Sequence, residues 1–131
     1  MSAHVKSIRL TLEQLRAQDA WEKCASYDPN HVSLAKGLPA LIMNSGLMQT
    51  MAFLQEKGKK PAQRHCAEIA GHLRGWLHRR FTHVPAEFEG FMKALMEAQP
   101  REYQQITAEA FAWLKWLRQM SAARNPGKEG A

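Results

Sequence analysis

The chain has 131 residues, of which 45% are hydrophobic and 23% are charged, and its formal net charge is +6. This length corresponds to one domain, and the apolar content together with the four Trp argues against an intrinsically disordered chain. The positive charge indicates an acidic or phosphate-bearing partner. Because like charges do not occur in long blocks, a basic surface must be assembled from several helices.

The cysteines and the first residues predict a cytoplasmic protein. Cys24 and Cys66 show no CxxC spacing, which favours a reducing compartment over a disulfide scaffold. The N-terminus lacks the apolar region of a secretory signal. We expect residues 1–10 to be a flexible N-terminus, residues 11–124 to form one helical domain, and residues 125–131 to be a disordered tail.

The first helix is predicted from Thr11 to Ser26. Thr11 and Gln14 have the spacing of a capping box, in which each side chain bonds to the backbone of the other residue. The sequence Tyr27-Asp28-Pro29-Asn30 then predicts a break, since the residue before a proline disfavours helical geometry. A short helical turn is predicted over residues 33–36.

From Gly37 to Gln55 the chain carries no charge. The segment is long enough to raise the question of a membrane span, but its polar residues would lack partners in hydrocarbon. Because apolar residues cover most sides of the predicted helix, we expect it to be the central buried helix. We expect Pro39 in its first turn, a kink or division at Gly46, and an end at residues 57–60.

Three further helices are predicted, starting at or near Pro61, Pro85 and Pro100. The first has about twenty residues, the second extends to about Ala98, and the last keeps helical spacing to Met120. The expected buried set of the first is Ala62, Cys66, Ile69, Leu73, Trp76 and Leu77. With no repeat and no strand alternation, the sequence predicts an all-α, single-domain helical bundle of about five to six helices.

One group of residues resembles a metal site. His65, Glu68 and His72 lie at i, i+3 and i+7 on one side of the predicted helix. The chain lacks the second Glu-x-x-His pair of di-iron bundles and the His-Glu-x-x-His of zinc proteases, and a solvated helix face explains the spacing equally well. A small metal-dependent helical enzyme therefore remains an alternative to the main prediction.

Other chemistry is not indicated. Cys66 shares the apolar side of its helix, so we expect a buried hydrophobic residue and not a nucleophile. Gly71 and Gly75 lie in a predicted helix that follows no strand, unlike a phosphate-binding loop. The sequence thus predicts no enzyme and no cofactor.

Two cationic helix faces remain as candidate binding surfaces. On the last helix one face carries Arg101, Gln104, Ala108, Phe111, Lys115 and Arg118, and cations beside an aromatic ring suit phosphates and stacked bases. The alternative is an ordinary solvated face. On the helix after Pro61, Arg64, Arg74, His78 and Arg79 flank Gly71 and Gly75. There the alternative is close helix packing at the two glycines.

Two separated blocks carry a resemblance to a known family. The first is Leu38-Pro39-Ala40-Leu41-Ile42 followed by residues 45–54, SGLMQTMAFL, and the second runs from Tyr103 through residues 107–117, TAEAFAWLKWL. In order and spacing they resemble the small α-helical fifth subunit of the Cmr complex, the type III-B CRISPR RNA-silencing effector. The family commonly continues with Lys-Arg-Phe, whereas here Arg118 is followed by Gln119 and Met120.

The resemblance implies a non-catalytic subunit that stacks in several copies and helps to clamp target RNA, while cleavage belongs to neighbouring subunits. Its implied partners are the other Cmr subunits, further copies of itself, guide RNA and target RNA. Together with the cationic faces, it assigns RNA contact to Arg74, Arg79, Lys115 and Arg118. We also expect an exposed Trp116 in an interface between subunits. The related small subunit of a type III-A complex is a further alternative.

Overall fold

Capping residues and prolines set the boundaries of five α-helices. The computed structural model describes residues 9–125, so the predicted flexible N-terminus and disordered tail fall largely outside the described residues. The helices are α1 (Leu12–Lys23), α2 (Pro29–Lys57), α3 (Arg64–Arg80), α4 (Phe88–Glu97) and α5 (Pro100–Arg124), with short 3₁₀ turns at Cys24–Ser26 and Pro61–Gln63. Residues 9–125 contain no β-strand, and the predicted all-α bundle is confirmed.

The predicted capping box of α1 is present. The amide of Gln14 donates to Oγ1 of Thr11 over 3.0 Å, and the amide of Thr11 donates to Oε1 of Gln14 over 2.7 Å. These bonds satisfy two of the amides that a helix N-terminus leaves without partners.

The start of α2 differs from the sequence prediction. Asp28 caps the helix by accepting from the amides of Asn30 and His31, and Pro29 occupies the first helical position. Because this N-terminal signal is complete, the helix starts there and continues through residues 33–36 without a break. The prediction that Pro39 lies in a first turn was wrong, since Pro39 is inside the helix.

The predicted kink at Gly46 is confirmed. Gly46 has φ 84° and ψ 163°, a region that other residues rarely adopt, so the helix changes direction there. Beyond the kink, the amide of Met48 donates to the hydroxyl of Tyr103 on α5 over 3.3 Å. The side chain of Tyr103 therefore provides a hydrogen-bond acceptor for a backbone amide close to the kink.

Around this kinked helix the core is built from large side chains of several helices. α5 packs against α1, α2 and α3, and α2 also packs against α3. The largest fully buried side chains include Trp76, Phe91, Trp113, Leu47 and Leu114. Among residues 9–125 no helix is both long and apolar enough to cross a membrane.

The uncharged segment is buried on one side only. Leu38, Ile42 and Leu47 belong to the core, but the side chain of Met43 is 76% exposed and that of Phe53 is 45% exposed. The prediction of a helix buried on most sides was therefore wrong, because the neighbouring helices cover only its inner face.

The glycines on α3 do not mediate close packing. A Cβ atom built on Gly75 would meet nothing within 4 Å, and one on Gly71 would meet only Arg74 Nη2 at 3.8 Å. The close approach occurs at Gly58 instead, where a Cβ would lie 2.6 Å from Cβ of Ala67. Gly58 thus permits the end of α2 to contact the start of α3.

Candidate functional site

The predicted cationic face of α5 is exposed along most of its length. Arg101, Gln104, Ala108, Lys115 and Arg118 are all exposed, and they extend over about 25 Å of helix. In the part of the chain that the structure describes, the side chains of Lys115 and Arg118 form no hydrogen bond or ion pair. Their charges are thus available to an external partner.

The two aromatic residues of this helix differ from expectation. Phe111 is half-buried and packs against the core, so only part of its ring is accessible for stacking. Trp116 is also half-buried against the core, and its Nε1 is buried without a partner among residues 9–125. The prediction of an exposed Trp116 was wrong because neighbouring side chains cover most of the indole.

Arg79 is attached to a buried carboxylate. Its Nη1 donates to Oδ1 of Asp19 over 2.9 Å, and its guanidinium lies 5.1 Å from the ring centroid of Trp76. The Asp19 carboxylate also accepts from Nζ of Lys23 and from Nε1 of Trp113. With its side chain 51% exposed, Arg79 reaches solvent, but part of its charge is neutralised by Asp19.

A second buried carboxylate, that of Glu109, pairs with one arginine of α1 and one of α3. Glu109 accepts two hydrogen bonds from Arg16, at 2.7 and 2.8 Å, and one from Nε1 of Trp76 at 2.8 Å, with Arg80 at 3.3 Å. Burial alone would raise the pKa of Glu109, but the hydrogen bonds from Arg16 and Trp76 outweigh it and lower this pKa. The charges of Arg16 and Arg80 are consequently paired with Glu109 inside the protein.

Arg74 also bonds inside the protein. Its Nε donates to the carbonyl of Ala86 over 2.8 Å, its Nη1 lies 3.4 Å from Sδ of Met51, and its guanidinium packs 5.7 Å from the ring centroid of Phe88. Burial lowers the pKa of Arg74. These contacts tie α3 to the segment before α4.

The four residues predicted to bind RNA do not form one surface. Lys115 and Arg118 share a face of α5, since residues three apart lie about 60° from each other around the helix. Arg79 lies toward the opposite side of α5. It bonds to Asp19, which accepts from Trp113, and Trp113 is about 200° from Lys115 around the helix. Arg74 contacts a different part of the protein, at Met51 and Ala86.

The side chains of His65, Glu68 and His72 contact residues of α2 and of the segment before it, and do not contact one another. Oε1 of Glu68 is 2.6 Å from Nε2 of His31, Nδ1 of His72 is 2.8 Å from the hydroxyl of Tyr27, and His65 meets His31 edge-on. Burial lowers the pKa of His72 and raises that of Tyr27, so we expect the hydroxyl to donate to a neutral imidazole. Among residues 9–125 no three His, Cys, Asp or Glu side chains are arranged to hold a metal ion.

Cys66 lies where the sequence predicted. It is buried in the core, and burial raises the pKa of its thiol, which disfavours the thiolate that a nucleophile needs. In contrast, the sequence reasoning did not identify Asp19 and Glu109 as buried. The sequence held a signal for Glu109, which lies three residues after Ile106 and four before Trp113 and so shares a helix face with two core residues.

Residues 12–124 match the family described as "CRISPR-associated protein (Cas_Cmr5)". The match covers all five helices.

Proposed function

The chain belongs to the Cas_Cmr5 family of CRISPR-associated proteins, which are subunits of the type III-B Cmr complex, and from this premise we propose that it is a non-enzymatic structural subunit that contacts RNA. In this proposal several copies stack along the complex. They hold the backbone of target RNA or of the guide-target duplex in cytoplasmic antiviral defence.

The exposure of Lys115 and Arg118 is the observation that carries RNA contact. Arg16, Arg79 and Arg80 are paired with buried carboxylates, whereas Lys115 and Arg118 extend from one face of α5 without a described partner. Phosphate oxygens are the natural complement of such cations, and contact with phosphates is independent of sequence. This suits an effector in which base pairing with the guide reads the target.

The other two predicted residues have secondary roles in this proposal. Arg79 adds charge at a second place on the surface, weakened by its pairing with Asp19. Arg74 acts from within, since its bond to Ala86 holds the segment before α4 in place.

The structural role is tested by native mass spectrometry of the complex purified through a tag on this chain. We expect other Cmr subunits and more than one copy of this chain in each particle. Recovery of the chain alone, or of particles with a single copy, would contradict stacking.

RNA contact is tested with the double variant Lys115→Glu/Arg118→Glu in the assembled complex. We expect weaker binding of target RNA, by a similar factor for two unrelated guide-target pairs. The control is Arg9→Glu/Lys36→Glu, which makes the same change in net charge at exposed positions on other parts of the chain. Equal losses in both variants would indicate a general charge effect and would contradict a specific contact on α5.

A further inference from the structure

The outer face of α2 is uncharged although it is exposed. No charge occurs from Gly37 to Gln55, yet eight of these residues are exposed: Gly37, Ala40, Met43, Asn44, Ser45, Gln49, Ala52 and Phe53. Burial in the core explains only the inner face. On α3 and α5 the exposed positions do carry charges, for example Arg64, Glu68 and Lys115. Depletion of charge on an exposed face is typical of a surface that another protein covers.

A groove runs along this face, and we call it the α2 groove. Its largest part is a cavity of ≈ 390 Å³ between the first half of α2, at Leu34 and Leu41, the second half, at Phe53 and Lys57, and Cys66 of α3. Cavities of ≈ 190 and ≈ 280 Å³ adjoin it, and Phe53 lines all three. The kink at Gly46 lets both halves of one helix line the groove.

The lining indicates that the α2 groove receives a ligand with mixed character. At the end nearest the kink the lining carries no charge and consists of Leu41, Ser45, Gln49, Thr50 and Phe53. At the other end, Lys57 and Lys60 lie on the rim together with Glu56, so that this end carries a net positive charge. The complement is an apolar side chain flanked by more acidic than basic groups.

One edge of the chain itself has this character. On α4, Glu89, Lys93, Met96 and Glu97 are exposed within about 100° of one another. We call this the α4 edge. Met96 is 66% exposed, and its neighbours are two acids and one base, the inverse of the groove rim. A methionine against Phe53 is a favourable sulfur–aromatic contact.

The α4 edge and the α2 groove lie on opposite sides of α2. Phe53 lines the groove, and Met51 is about 200° from it around α2. Sδ of Met51 contacts Arg74, and Arg74 bonds to Ala86, just before α4. The Met51 side of α2 therefore faces α4. A molecule with complementary surfaces on two different sides forms a head-to-tail contact that does not close into a dimer. Each copy then offers its groove to one neighbour and its α4 edge to the next.

We propose that the α2 groove receives the α4 edge of a second copy of this chain, with Met96 against Phe53 and with Glu89 and Glu97 facing Lys57 and Lys60. This inference rests on the stacking in the proposed function and names the two faces that meet. Leu34, Leu41 and Phe53 give the lining apolar surface that a methionine side chain can contact, which favours protein over RNA as the occupant.

The charges are tested by reversal and restoration in the assembled complex. Lys57→Glu/Lys60→Glu and Glu89→Lys/Glu97→Lys are each expected to lower the number of copies of this chain in each particle, as counted by native mass spectrometry. The variant that combines all four changes is expected to recover copies, since the two faces are again complementary. If both pairs lower the copy number and the combination does not recover it, the two faces do not meet and the proposal is overturned. Unchanged copy number in either pair overturns it as well.

The contact itself is tested with benzoylphenylalanine introduced at Phe53. After irradiation of the assembled complex, we expect a cross-linked peptide that contains Met96 of another copy. Attachment to a different subunit, or to RNA, shows another occupant and overturns the proposal. The control Lys115→Glu/Arg118→Glu separates this test from the proposed RNA contact, because it is expected to weaken RNA binding and leave copy number unchanged. A wild-type particle with a single copy contradicts the stacking premise directly.

Discussion

The indole nitrogen of Trp113 on α5 donates a hydrogen bond to Oδ2 of Asp19 on α1, over 2.9 Å in the interior. The same carboxylate accepts from Arg79 of α3 and from Lys23 one turn along α1. One buried acid thus joins three helices, and it also determines how much of the charge of Arg79 remains for an external anion.

Asp19→Asn is expected to destabilise the fold while keeping the bond to Trp113. The amide oxygen can still accept from the indole, but the charges of Arg79 and Lys23 lose their counterion. We expect a loss of about 2 kcal/mol in the free energy of unfolding, less than for a fully buried pair because both cations reach solvent. Urea unfolding measures it, with Glu22→Gln as the control at an exposed acid of the same helix. Equal stability of the two variants would contradict this role of Asp19.

The kink in α2 requires glycine at position 46. Gly46→Ala places a Cβ at φ 84°, and we expect a loss of about 2 kcal/mol from backbone strain, since the space around it is adequate. Gly37→Ala is the matched control in the same helix. There a Cβ meets nothing within 4 Å, so we expect a gain of about 0.5–1 kcal/mol from the better helix former. Similar effects of both changes on thermal unfolding would show that the kink does not require glycine at position 46.

Stability is expected to fall as the pH drops below neutrality. Burial, followed by the positive charge of Lys23, lowers the pKa of His72 in the folded state. The unfolded chain therefore binds more protons below the ordinary value of 6.5, so the free energy of unfolding decreases with falling pH. A second decrease follows below the ordinary value of 4.5 for Glu109, whose pKa is also lowered in the folded protein.

The contribution of His72 is isolated with His72→Asn, whose side-chain oxygen can accept from the hydroxyl of Tyr27. The difference in unfolding free energy between wild type and variant should change between pH 7.5 and pH 5. A difference that stays constant over this range would show that His72 does not carry the upper transition.

Arg74 and Arg118 are expected to separate stability from RNA binding. Arg74→Met removes the bond to Ala86 and should cost about 1 kcal/mol, while the RNA affinity of the assembled complex changes little. Arg118→Met should leave the melting temperature unchanged and weaken RNA binding, because Arg118 is exposed. The reverse pattern would assign the RNA contact to Arg74.

The sequence predicted the elements that local signals specify. The capping box at Thr11, the kink at Gly46 and the helix that begins at Pro100 follow from short-range chemistry, and the structure contains them. The predicted starts at Pro61 and Pro85 were too early, since α3 begins at Arg64 after a 3₁₀ turn and α4 begins at Phe88, where Glu87 caps the helix. The start of α2 was misplaced because Pro39 was interpreted as a helix start, although Asp28 and Pro29 provide the stronger signal.

Features that depend on tertiary neighbours could not be predicted in the same way. Glu109 and Arg16 are 93 positions apart in the sequence. Only the folded structure shows that Glu109 is buried and that Arg16 is paired with it. The uncharged stretch of α2 has the same limitation, since composition does not show which face the other helices cover. Exposure of Lys115 and Arg118 was predicted correctly from helical spacing alone.

The salt dependence of target-RNA binding by the assembled complex tests the central claim most directly. In Lys115→Gln/Arg118→Gln the log-log slope of affinity against salt concentration should flatten by about 1.4, which is about 0.7 for each phosphate of a single strand that the protein no longer neutralises. The control Arg9→Gln/Lys36→Gln should retain the wild-type slope. A slope in Lys115→Gln/Arg118→Gln equal to that of wild type would contradict the contact between α5 and the RNA backbone.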